Sequence, residues 1–189
     1  MAILKVARLG HPVLRQVASA LSRDQLLNPA IQILIDDMMD TVREYDGVGL
    51  AAPQVHAPLR IFIVEIAEDN PRYPEQQGEA VQLALINPVL EFPSDEKVLG
   101  WEGCLSIPDM RGQVPRFTKV NVKAWDRQGN EIILNLQGFP AVVVQHENDH
   151  LDGILYPDRM LNLSTLCFNR EYDRFWAKEE EEEIEEAAA

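Results

Sequence analysis

The chain has 189 residues, 46% of them hydrophobic, which is enough for one well-buried domain and too few for two of ordinary size. Its formal net charge of −14, from 31 acidic and 17 basic side chains, argues against affinity for nucleic acid phosphates. The two cysteines, Cys104 and Cys167, are too few for a disulfide framework and favour a reducing compartment.

In chain order, Asn28 and Pro29 form a cap and first-turn pair, and Ile31, Leu34, Ile35, Met38, Met39 and Val42 then recur at helical spacing. This pattern predicts an amphipathic helix that ends before Gly47. Gly47, Val48 and Gly49 read as a C-cap and loop, and they lack the Gly-Lys-Ser/Thr ending of a phosphate loop. Strands are predicted over residues 59–66, 81–90, 98–107, 118–125 and 131–136, the last two joined by a turn around Gln128, Gly129 and Asn130. Residues 68–79, polar and proline-bearing, are expected to be a loop at the rim of any site.

A buried helix is predicted from Phe139 to Leu151. Pro140 is tolerated there only in the first turn, and Val142, Val143 and Val144 imply burial on most sides. Strands bracketed by helices predict an α+β fold, with mostly antiparallel strands around this buried helix and helices toward both ends. Residues 1–163 read as one catalytic domain, and 164–189 as a C-terminal helix and acidic tail. Glu179 to Glu183, Glu185 and Glu186 supply much of the net charge, and such a run reads as a solvated end. No apolar run is long enough for a membrane span, and no signal or transit pattern precedes the motifs, so the expected location is cytoplasmic. A removed transit peptide would make it organellar.

The chemistry lies in Gln145-His146-Glu147-Asn148-Asp149-His150. One helical turn apart, His146 and His150 converge on one cation, while Glu147 reaches a water beside it, which suits metal-assisted hydrolysis with Glu147 as general base. A catalytic site needs a third protein ligand and an open position. No His follows the motif, and His11 and His56 sit beside prolines in loops. Cys104, next to Gly103 in a strand-like run, is the stronger candidate, completing a Cys–His–His set that suits the metal helix. Phe139, Val142 and Val143 share the His face and are candidates for a substrate pocket or for plain core.

Three separated signatures together resemble the peptide deformylase family. They are Gly47-Val48-Gly49-Leu50-Ala51-Ala52-Pro53-Gln54, Glu102-Gly103-Cys104-Leu105-Ser106, and residues 145–153. Flanking stretches at His11 to Arg15 and Tyr156 to Met160 extend the resemblance over about residues 5–160. The resemblance implies removal of the formyl group from the N-terminal formyl-methionine of nascent polypeptides, with release of formate. It implies that the Gln54 amide and the Leu105 backbone N–H contact the oxyanion, that Gly49 backbone pairs with the substrate, and that Val48 shapes the methionine pocket. Arg111 matches a position near the bound peptide, and Glu102 and Gly103 fall in the substrate-facing signature.

The family works with ferrous iron, and a His–His–thiolate set also accepts zinc, nickel or cobalt. The expected partners are nascent formyl-Met peptides and, transiently, the ribosome, although the acidic tail departs from the basic extension that some relatives use there. No nucleic acid or membrane partner is expected. Two other readings share these residues: a zincin-like metallopeptidase, which would take its third ligand from downstream of the helix, and a non-catalytic metal-binding domain, in which Glu147 and Gln54 would have no work.

Overall fold

The computed structural model describes residues 2–66 and 81–177. The expected rim loop and the acidic run lie outside the described residues. Near the start, α1 (Arg23–Leu26) is a single turn closed by a Ser22–Gln25 capping box. α2 (Pro29–Glu44) begins as expected, with the Asn28 side chain accepting the Ala30 N–H at 2.9 Å and Pro29 in the first turn.

The strands β1 (Gly49–Ala51), β2 (Ile61–Ile66), β3 (Val81–Glu91), β6 (Lys119–Trp125) and β7 (Glu131–Gln137) form one antiparallel sheet in the order β1-β2-β3-β6-β7. β2 is apolar almost throughout because both its faces are covered. Side chains alternate along a strand, so Phe62, Val64 and Ile66 join Ala141, Val143 and Val144 of α3 (Phe139–Leu151). Ile61 and Ile63 join Ile35, Met38 and Val42 of α2 on the opposite face. The sheet thus lies between the two long helices.

A second antiparallel sheet has the order β4-β5-β8, from β4 (Lys97–Cys104), β5 (Ile107–Phe117) and β8 (Cys167–Phe168). The strand expected over residues 98–107 is in fact two. β4 ends at Cys104, Leu105 and Ser106 turn the chain, and β5 runs back along β4. No strand was expected over most of β5, because Pro108, Gly112 and Pro115 interrupt the strand pattern there. Prolines are tolerated there because β8 pairs with β5 only at Met110 and Arg111, which leaves most of that edge open. β1, a strand of three residues, was likewise masked by its glycines.

A single residue, Thr118, separates β5 from β6, so the chain crosses there from one sheet to the other. α4 (Tyr156–Arg159) and α5 (Asn169–Phe175) close the described chain. The fold is α+β with antiparallel strand pairing, as the sequence predicts. Among the described residues no helix is long and apolar enough to cross a membrane.

Candidate metal centre

α3 occupies the interval read from sequence, with Pro140 in its first turn and Gly138 at its N-cap with φ 64°. Ala141 and Val144 are sunk in the core, which turns His146, Glu147 and His150 toward the end of β4. The helix is tied to β5 by the Gln145 side chain, which accepts the Phe117 N–H at 3.0 Å and donates to the Phe117 carbonyl at 2.9 Å.

Cys104 sits where the β4–β5 register shifts, so its thiol leaves the strand toward α3. The ligand atoms of Cys104, His146 and His150 all lie within 4.8 Å of one another, with Cys104 Sγ 3.3 Å from His150 Nε2. His146 turns its Nδ1 to Glu102 Oε2 at 2.8 Å, which leaves its Nε2 for the shared center of the group. Gln54, on the turn after β1, accepts the Ala51 N–H through Oε1 at 2.8 Å. Its amide N–H groups face Cys104 Sγ at 3.5 Å and Ser106 Oγ at 3.2 Å.

The electrostatics divide these groups by task. Burial opposes ionisation of Cys104, yet His150 and His146 beside it more than offset that, and the thiol is held well below its usual range. Burial disfavours the imidazolium of His146 too, but hydrogen bonds to Cys104 and Glu102 raise it well above the usual histidine range. A thiolate beside two imidazoles is a donor set that fits a borderline or soft divalent ion, and its binding would displace the proton held there. Glu147 behaves differently. Burial pushes its carboxyl up to about 7 despite the two imidazoles, and its Oε2 is buried without a hydrogen-bond partner. Such a group can take a proton and give it back near neutral pH.

Glu147 also dictates the residue opposite it. A Cβ on Gly49 would lie 2.4 Å from Glu147 Oε1, so any larger residue there would push the carboxylate out of this position.

An open cleft of about 630 Å³ leads to the group. Of the residues singled out by sequence, Val48, Gly49, Gln54, Glu102, Gly103, Cys104, Leu105, Arg111, Phe139, Val142, Val143, His146 and Glu147 all line it. His150 lies behind them and is buried. Val143 both lines the cleft and packs in the core. His11 and His56 are elsewhere and exposed, their rings edge to face at 4.7 Å, with His11 Nδ1 accepting the Val13 N–H. Both cysteines are free.

Sequence reasoning missed the buried charges behind the site. Arg116 donates twice to Glu102, at 2.6 and 3.0 Å, and once to Asp149 at 2.6 Å, while Arg159 donates to Asp149 at 2.8 Å. Burial opposes the Glu102 carboxylate, but His146 and Arg116 hold it down at about 2. Asp149 stands inside the metal signature and could have raised the question. Nothing local marks Arg116, because no strand was expected around it. Trp101 and Asn169, which also line the cleft, carried no signal either.

The polypeptide deformylase family model matches residues 3–165. Peptide deformylase 1 of Prochlorococcus marinus is 43% identical over 173 residues, covering 92% of this chain and 88% of that protein. Peptide deformylase 2 of a Nostoc species is 44% identical over 177 residues, covering 93% and 96%. Among solved structures, a Met-Ala-Ser-bound class I type b peptide deformylase from Acinetobacter baumannii matches with a TM-score of 0.77. It is 44% identical, over 84% of this chain and 99% of that one. By sequence and by fold alike, the chain belongs to the polypeptide deformylase family, metal-dependent hydrolases that release formate from formyl-methionine peptides.

Proposed function

We propose that Cys104, His146 and His150 hold the divalent ion and that Glu147 is the general base and acid of deformylation in this chain. The observation that carries this reading is the contrast within one buried cluster: a thiol gathered with two imidazoles, which hold its pKa well below the usual range, beside a carboxyl raised to about 7 that has an unpartnered oxygen. When bound, the ion acts as a Lewis acid on water and on the formyl carbonyl. Glu147 accepts the proton of the attacking water and returns it to the departing amine of methionine. The Gln54 amide, aimed by its bond to Ala51, and the Leu105 backbone N–H meet the charge that develops on the formyl oxygen.

Val48, Phe139, Val142 and Val143 take the methionine side chain, the backbone at Gly49 and Gly103 receives the extended substrate, and Arg111 serves the peptide beyond. Glu102 acts from the cleft wall through His146. Ferrous iron is the ion proposed, with zinc, nickel and cobalt as substitutes that suit the same donors. The substrates are nascent formyl-Met peptides in the cytoplasm, met in transient contact with the ribosome, and the tripeptide in the Acinetobacter relative suits such a product. Measured formate release from formyl-Met-Ala-Ser by anaerobically prepared, iron-loaded enzyme tests the reading. Glu147→Ala should keep the metal and lose about 10²- to 10⁴-fold in kcat, whereas Cys104→Ala should lose the metal. Full activity in a metal-loaded Glu147→Ala enzyme would remove Glu147 from its role.

A further inference from the structure

One wall of the cleft comes from outside the three signatures. β8 pairs with β5 at Met110 and Arg111, and this places α5 directly against the site. Arg111 Nε donates to Asn169 Oδ1 at 3.0 Å, and its guanidinium carbon lies 4.1 Å from the center of the Tyr172 ring. Tyr172 is buried and meets Trp101 edge to face at 4.9 Å, while Trp176 lies 5.6 Å from Trp101 on the same side. Trp101, Arg111 and Asn169 all face the cleft.

The arrangement around Arg111 is unusual for a half-buried cation. Among the described residues no carboxylate pairs with it, and neither terminal nitrogen has a hydrogen-bond partner. An amide and an aromatic face hold the side chain by its inner nitrogen and its flat surface, which fixes the guanidinium plane without neutralising it. The outer edge of the fork is left to the cleft. Such an edge suits carbonyl or carboxylate oxygens on an extended peptide. Arg111 is the register partner of Gly103, the residue before Cys104, so a chain whose formyl end reaches the metal group passes it downstream of methionine.

We propose that Tyr172 and Asn169 are positioning residues for substrate, and that through Arg111 the C-terminal segment sets affinity for the peptide beyond formyl-methionine. This rests on the reading of Arg111 as a substrate contact. Loss of the ring or the amide frees Arg111 to swing into solvent, which weakens ground-state binding of longer substrates and leaves the reacting atoms alone.

Steady-state formate release from formyl-Met-Ala-Ser and from formyl-methioninamide, with metal content and melting temperature recorded, tests it. Tyr172→Leu and Asn169→Ala should raise the tripeptide KM about ten-fold with kcat nearly unchanged, and leave the KM of the amide as it was. Tyr172→Phe, which keeps the ring, should behave as the parent. Added to Arg111→Ala, neither change should raise the tripeptide KM further, because both act through that side chain. A raised tripeptide KM in Arg111→Ala, but not in Asn169→Ala or a folded Tyr172→Leu, overturns the positioning role and leaves the Arg111 contact standing. An unchanged KM in Arg111→Ala overturns both. Equal losses on both substrates mark a structural effect and also overturn the proposal.

Discussion

α3 meets two different surfaces. Against the five-stranded sheet, Ala141, Val143 and Val144 touch a layer of Phe62, Val64 and Leu85, all apolar and buried. Against β4 and β5 the helix presents Gln145 and Asp149 to Phe117 and Arg116, and through Arg116 it reaches Glu102 and His146. Apolar burial has no direction, so the first surface supplies stability and tolerates small shifts. Buried ion pairs return little net stability for their desolvation, but they fix atoms at set distances. The proposed metal ligands are drawn from the second surface on one side and the helix on the other, where orientation matters most.

Breaking the polar surface should cost most. Arg116→Ala leaves the Glu102 and Asp149 carboxylates buried without their shared cation, and a loss of about 3–5 kcal/mol is expected in urea denaturation. Metal affinity should fall with it, because Glu102 no longer holds His146 in place. The counterpart on the apolar surface is Leu85→Ala. It should cost about 2–5 kcal/mol through its cavity while metal content and kcat at low temperature stay near parental values. If Leu85→Ala shed its metal as readily as Arg116→Ala, the division of labour between the two surfaces would be wrong.

The smallest effect should come from the surface pair of Arg15 and Asp158. Slight burial opposes the Asp158 carboxylate, but Arg15 and the Leu155 N–H outweigh it and lower its pKa. A lowered carboxyl contributes stability that is present above its unfolded pKa and is lost as pH falls through the folded one. Asp158→Asn should therefore cost less than about 1 kcal/mol at pH 7, with the difference shrinking in acid, as parallel melts at pH 7 and in acid would show.

The same division explains what the sequence disclosed. His146, Glu147 and His150 are neighbours on one helical turn, so their convergence follows from spacing alone, and the start of α3 follows from Pro140. α2 was legible from apolar periodicity and β2 from a short, nearly continuous apolar run. Arg116 is 14 residues from Glu102 and 33 from Asp149, and these three meet only through the β4–β5 hairpin, whose second strand is disguised by prolines. Cys104 was legible as the third member of a set with His146 and His150, but the register shift that swings it toward α3 has no signature in composition. The contribution of Asn169 and Tyr172 to the cleft needed the pairing of β8 with β5, a contact between segments far apart in the chain.

The most direct test of the central claim is X-ray absorption spectroscopy on the metal-loaded enzyme, parent beside Cys104→Ser. The account predicts one sulfur and two imidazole nitrogens around the ion in the parent, with the sulfur contribution gone in Cys104→Ser. A parent spectrum without sulfur, or one unchanged by Cys104→Ser, would contradict it.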